Sequence, residues 1–211
     1  MNVIFDLDGT LVNSAPGIMG ALRYVIKKHG IEPHVLLSAD LIGPPLRELL
    51  IEISGSSEVG DLFLMEQTFK SYYDEAGVFE TTRYEGVIQM LEDLKADGHK
   101  LFVATNKREN PTNALIKYFK WDQYFVGTYS LDSFEVHLKE KATLLEKIIN
   151  IHGLLKNETI YIGDRPEDSE AAKKCNLDFM HATWGYGGDV DNLSGTHLIK
   201  PNDILFHLKK Y

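Results

Sequence analysis

Apolar positions follow two rhythms along this chain, and the change between them divides it. Val3-Ile4-Phe5 is an apolar run without polar alternation, which predicts a strand covered on both faces, as in a parallel sheet. From residue 14 the period is helical. Asn13-Ser14-Ala15-Pro16 suits a helix start, and Met19, Leu22, Val25 and Ile26 recur at helical spacing up to Gly30. Residues 36–42 and 46–53 continue the helical character on either side of Gly43-Pro44-Pro45. A third helix is expected over 61–73, with Leu62, Met65 and Phe69 on one face. Residues 14–79 therefore predict a helical block with no strand.

From Tyr84 strands and helices alternate. Residues 87–97 predict an amphipathic helix closed by Gly98, and 101–105 a buried strand. A helix over 111–119, a strand over 124–129 and a helix over 143–152 follow, the last closed by Gly153. Thr159-Ile160-Tyr161-Ile162 predicts a strand running into Gly163-Asp164, with a helix over 169–175. Two further strands are expected near 179–183 and 196–199, then a terminal helix over 202–209. This alternation implies right-handed βαβ units and a parallel sheet. The fold expected is a doubly wound α/β core over 1–13 and 80–211, with a helical cap over 14–79.

Composition narrows the class. A 44% hydrophobic fraction supports a sizeable core in a chain of 211 residues. The net charge of −9, without a block of like charges, argues against nucleic acid as a partner. A single cysteine, Cys175, excludes an internal disulfide and suits a reducing compartment. No run approaches the ~20 apolar residues of a membrane span, and no secretory leader pattern precedes Val3. The expectation is a soluble cytoplasmic protein, monomer or homodimer, with no membrane partner.

The polar residues at strand ends carry the chemistry. Asp6 and Asp8 are spaced i, i+2, so an extended chain projects both from one face. Like charges so close need a cation or donors to compensate them. Thr105, the Lys139 region, and Asp164 with Asp168 fall at the carboxyl ends of other predicted strands, the edge where open α/β sheets bind ligands. Oxygen ligands at this density select a hard cation such as Mg²⁺. Carboxylates left over can serve as nucleophile and acid/base, and a hydroxyl and an amine suit phosphate oxygens. The set fits phosphoryl transfer. Trp184-Gly185-Tyr186-Gly187-Gly188 lacks the strand and spacing of a dinucleotide fingerprint and is read as a loop.

These residues carry a family resemblance. Asp6-Leu7-Asp8-Gly9-Thr10-Leu11-Val12 resembles the first motif of the haloacid dehalogenase superfamily of phosphohydrolases. Val103-Ala104-Thr105-Asn106 is similar to its second motif, and Gly163-Asp164-Arg165-Pro166-Glu167-Asp168 to its fourth. Its third motif is one lysine, matched by Lys139, with Lys141 the alternative; Leu138-Lys139-Glu140-Lys141 departs from the usual Lys-Pro or Thr-Lys. The helical block resembles the type 1 cap, and Tyr84-Glu85-Gly86-Val87 the return from cap to core.

The resemblance implies a function and roles. It implies a Mg²⁺-dependent phosphatase of a small phosphorylated metabolite, most similar to phosphoglycolate phosphatase-like proteins, with nucleotide monophosphatase next. Asp6 would form an aspartyl-phosphate, and Asp8 would shuttle protons. Mg²⁺ would be held by Asp6, the carbonyl of Asp8 and Asp164, with Asp168 either a direct ligand or a partner of one. Thr105, Lys139 and Asn106 would serve the phosphoryl group, and the amides of Gly9 and Thr10 would form a phosphate nest. Arg47 beside the Gly43-Pro44-Pro45 loop, and Lys107 after the second motif, are the basic substrate-binding candidates. A sugar phosphomutase is the enzymatic alternative. A non-catalytic phospho-acceptor signalling domain shares the residue types, but it is shorter and lacks a helical insertion.

Overall fold

A computed structural model describes residues 1–187 and 195–208. The chain divides into two compact units, one formed by Met1–Asn13 with Arg83–Tyr211 and the other by Ser14–Thr82.

The first unit is built on six parallel strands: β1 (Asn2–Phe5), β2 (Lys100–Thr105), β3 (Phe125–Ser130), β4 (Thr159–Gly163), β5 (Asp178–Ala182) and β6 (Thr196–Leu198). Their spatial order is β3-β2-β1-β4-β5-β6, so the chain grows outward from β1 on one side and then restarts on the other. The gap between β1 and β4 is the topological switch point, where such sheets open a crevice for ligands. β1 pairs Ile4 with Phe102 on one side and with Tyr161 on the other. Side chains alternate faces along a strand. Ile4, Phe102 and Tyr161 therefore share one face, where they join a buried cluster with Leu144, Leu145, Ile148, Ala171 and Ala172. Phe5 points the other way and meets Phe125 edge-on at 6.4 Å.

The helices of this unit are labelled in chain order after three that belong to the second unit. α4 (Val87–Ala96) buries Val87, Met90, Leu91 and Leu94, and α5 is Glu109–Tyr118. α6 (Lys141–His152) ends in a left-handed Gly153, and α7 (Pro166–Lys174) opens with Pro at its start. α8 is Asp203–Leu208. Lys209, expected to end the last helix, and Gly188 lie outside the described residues.

The second unit holds α1 (Ala15–His29), α2 (Leu46–Ser54) and α3 (Val59–Glu75). α1 and α3 pack together through stacked Tyr24 and Tyr72 rings, 5.1 Å apart. The expected helix over 36–42 is not formed. Only a single 3-10 turn, Ala39–Leu41, interrupts this stretch, and Leu36 is 87% exposed. Leu36 finds no partner face, whereas Ile42 is buried beyond the turn, and helices this short draw their stability from such packing.

Among the described residues no helix is long and apolar enough to cross a membrane.

Candidate active site

Strand parity decides what faces the site. Asp6 follows β1 at i+2 from Ile4, so its carboxylate emerges on the face covered by α6. Its amide extends the ladder, donating to Ile162 O at 2.8 Å. The first residue of α6 is Lys141, whose side chain is only 7% exposed. Its ammonium donates to Asp6 Oδ1 at 2.8 Å, to Ala104 O at 3.3 Å and to Tyr161 Oη at 3.1 Å, and lies 3.2 Å from Asp168 Oδ1. A lysine in the first turn opposes the helix dipole; here two buried carboxylates offset that cost. Lys139, the expected lysine, is exposed and lies before the helix begins. The correction follows from the helix start. The backbone enters α6 through an extended Glu140, and only the residue after it turns inward.

Asp6, Asp164 and Asp168 are all buried, each with a carboxylate oxygen within 4.8 Å of the others. Asp164 follows β4 directly. Thr10 donates to its Oδ1 at 3.2 Å, and the Tyr186 amide to its Oδ2 at 2.8 Å. Asp168 sits in the first turn of α7 and closes a capping box: its Oδ2 accepts from the Arg165 amide at 3.2 Å. Its Oδ1 accepts from the Tyr161 hydroxyl at 2.7 Å.

Asp8 lies outside this trio. Lys107, its side chain 5% exposed, reaches both Asp8 oxygens at 3.1 and 3.2 Å. The Lys107 amide donates to Thr105 Oγ1 at 3.2 Å, which fixes the hydroxyl at the end of β2. Asn106 occupies the half-buried turn between them. Arg47 lies in the helical unit, in the first turn of α2 rather than in a loop. Its guanidinium pairs with Glu66 Oε1 at 2.9 Å. The expected nest of Gly9 and Thr10 amides is not formed by those groups. Gly9 N donates to Val12 O at 2.8 Å and Thr10 N to Leu7 O at 3.3 Å, because the tight turn after Asp8 needs its own amides to close. Gly9 adopts φ 84, and a Cβ there would come within 2.2 Å of Asp164 Oδ2.

Three parts of the site escaped sequence reasoning. Tyr161 stood in an apolar strand, yet a hydroxyl in a fully buried run requires a partner; that was the available signal. The Trp184 loop is a loop, but it is folded onto Asp164. A Cβ on Gly185 would lie 2.3 Å from Asp164 Cβ, and one on Gly187 1.9 Å from Asp164 O. Trp184 Nε1 also donates to Thr10 O at 3.0 Å. His181 on β5 carries no signal in the sequence, and its Nε2 lies 3.2 Å from Asp164 O.

The electrostatics follow from burial. Burial raises the Asp6 carboxyl to about 6, with Lys141 pulling against it and Asp168 adding to it. Asp164 is pushed up to about 8, by burial first and then by Asp168 and Asp6. Burial disfavours the Lys141 ammonium, but Asp168 and Asp6 outweigh it and hold its pKa above the usual value. Asp6, Asp8, Asp164 and Asp168 face two amines, Lys107 and Lys141, which leaves an excess of negative charge. A divalent cation would balance that excess. The donor set is carboxylate oxygen throughout, which suits a hard ion.

Fold and site together define a doubly wound α/β enzyme with a buried acidic cluster and a buried lysine at the switch point. Residues 3–182 match the model of the haloacid dehalogenase-like hydrolases, and the chain belongs to that family, as a hydrolase of the phosphatase type. It is 30% identical over 206 residues to a phosphoglycolate phosphatase of Aquifex aeolicus, covering 96% of this chain and 94% of the relative. It is 28% identical to a 5'-nucleotidase of Pseudomonas aeruginosa, covering 89% and 85%. The crystal structure of a predicted phosphatase from Clostridium acetobutylicum superposes with a TM-score of 0.88 at 28% identity, covering 100% of this chain and 98% of that one.

Proposed function

We propose that the protein is a Mg²⁺-dependent phosphatase of a small phosphorylated metabolite, working through an aspartyl-phosphate on Asp6. The observation that carries this reading is the buried Asp6–Lys141–Asp168 contact beside Asp164. It combines a nucleophile held by an ammonium with uncompensated carboxylates in reach of a cation. Asp6, Asp164 and Asp168, with the carbonyl of Asp8, would hold the ion. Once bound, it supplies charge neutralisation at the phosphoryl oxygens.

The chain's own residues perform the remaining work. Asp6 Oδ attacks phosphorus and the ester oxygen leaves. Asp8 gives that oxygen a proton. In the second half-reaction Asp8 takes a proton from water as the water attacks the acyl phosphate, returning Asp6. Lys107 holds Asp8 in place through both oxygens. Lys141 fixes Asp6 and offsets negative charge gathering at the transferring group. Thr105 offers its hydroxyl to the phosphoryl group. The names of the relatives support phosphoglycolate or a nucleoside monophosphate as substrate. The buried free thiol of Cys175 supports a cytoplasmic setting.

The test is a substrate panel with Mg²⁺ and with chelator: phosphoglycolate, nucleoside monophosphates, sugar phosphates and pyrophosphate. The accompanying variant is Asp6→Asn. Turnover is expected to fall at least ~1,000-fold, the scale of losing a nucleophile. An Asp6→Asn protein that keeps most of its activity refutes the assignment.

A further inference from the structure

Asp164 is gripped through its carboxylate by Thr10 and the Tyr186 amide. A separate hold acts on its main chain and comes from the neighbouring strand. His181 lies on β5, 1% exposed, beside Gly163 of β4. Its Nε2 is 3.2 Å from the carbonyl oxygen of Asp164. A carbonyl only accepts, so Nε2 carries the hydrogen and donates. The other ring nitrogen, Nδ1, lies 3.3 Å from Nδ1 of His197, which is the register partner of His181 on the edge strand β6. In the neutral His181 ring Nδ1 is then a lone pair, and the His197 Nδ1–H is the donor. Two N–H groups thus run in one direction, from the edge strand through His181 to Asp164. Phe179 stacks beside the His181 ring, with centroids 6.5 Å apart. Gly187 presses so closely on the same carbonyl that a Cβ there would lie 1.9 Å from it.

We infer that His181 is a positioning residue for the cation site, pinning the main chain of Asp164, and that His197 fixes the tautomer it needs. The inference rests on the reading of Asp164 as a cation ligand. Thr10 and Tyr186 aim the carboxylate only relative to its own backbone. That backbone leaves β4 through Gly163, and His181 is the side chain that ties down the next carbonyl. Groups that orient a metal ligand in this way are typically worth 10–100-fold in metal affinity.

The experiment is calorimetric titration of Mg²⁺ into the metal-free full chain, for wild type, Asp164→Asn, His181→Leu, His181→Gln and His197→Leu. Wild type is expected to bind and Asp164→Asn to lose binding. His181→Leu is expected to bind at least ~10-fold more weakly, with a circular dichroism spectrum close to wild type and a metal-free melting temperature lowered by the loss of a buried hydrogen bond. His181→Gln keeps a donor near the Nε2 position and is expected to recover affinity to within about threefold of wild type. His197→Leu is expected to fall between the two. No Mg²⁺ binding by wild type sinks the cation reading itself. Binding by wild type with equal affinity in folded His181→Leu overturns the positioning role and leaves the cation reading standing. Should His181→Leu fail to fold, His197→Leu decides: wild-type affinity overturns the relay, and a loss of about threefold or more supports it.

Discussion

Lys141→Met, with Lys139→Met beside it, separates two lysines that differ by two positions in sequence and entirely in environment. Lys141 is 2.8 Å from Asp6 and 3.2 Å from Asp168, with all three side chains buried. Removing one partner of a buried ion pair leaves uncompensated charge and costs about 3–5 kcal/mol. Here two carboxylates are left behind, so the upper part of that range is expected. Lys139 is exposed, and its replacement should fall within about 0.5 kcal/mol. Lys141 is also the main influence opposing burial at Asp6, whose pKa is already raised to about 6. Without it the carboxyl rises further and is protonated over more of the neutral range. The pH profile of kcat in the variant should therefore have its rising limb displaced to the alkaline side. Under the proposed mechanism, loss of the ammonium beside Asp6 should lower kcat by about 10²–10³. Urea denaturation gives the stability change, and p-nitrophenyl phosphate hydrolysis across the neutral range gives kcat. An active Lys141→Met protein with an unshifted profile, or an inactive Lys139→Met protein, would refute the assignment.

Other outcomes follow from the same geometry. Tyr161→Phe removes the hydroxyl joining Lys141 to Asp168; denaturation should register about 1.5–3 kcal/mol, the usual worth of a hydrogen bond to a charged group, with a lower kcat in the same assay. Metal-free protein should lose stability as pH rises from about 4 to about 8. Asp6 and Asp164 hold their protons more tightly folded than unfolded, so the native state binds more protons in that window and rising pH favours unfolding. Millimolar Mg²⁺ should flatten the trend and Asp164→Asn should reduce it; melting temperatures that climb with pH in metal-free protein would contradict this. Gly185→Ala places a methyl 2.3 Å from Asp164 Cβ and 2.4 Å from Gly9 O. It should cost about 1–3 kcal/mol by overpacking and weaken Mg²⁺ binding in calorimetry.

What the sequence conveyed was set by local signals. Apolar runs marked β1, β2 and β4 because a strand covered on both faces has no polar interruption. Asp6, Thr105 and Asp164 could be placed at strand ends for the same reason. Choosing between Lys139 and Lys141 required the starting residue of α6, and a charged run holds no periodic signal for that. Asp168 was expected just before a helix at 169; α7 starts at Pro166, so the residue is inside the first turn and bonds its own cap. The nest expected of Gly9 and Thr10 failed because the same amides can serve either a ligand or the turn, and spacing alone does not say which. The Trp184 loop and His181 depend on contacts with Asp164 from distant parts of the chain, and no local pattern encodes those. Residues 36–42 were misread because Leu36, which opens the apparent period, meets no partner surface.

The central place of β1 has a consequence for how activity is acquired. Its neighbours are not the segments that follow it in sequence. Asn2 pairs with Lys100 on one side and with Thr159 on the other. Ser14–Thr82 forms a compact unit of its own and can order through nearby contacts, whereas sheet formation around Val3–Phe5 must first close very long loops, a slow and entropically costly step. Until it does, an apolar segment that is wholly buried in the native state stays uncovered and open to wrong pairings. Asp6, Lys141 and the remaining acids therefore come together only when both halves of the sheet have joined. Phosphatase activity regained after dilution from denaturant would clock that final union, not the earlier ordering of the helices.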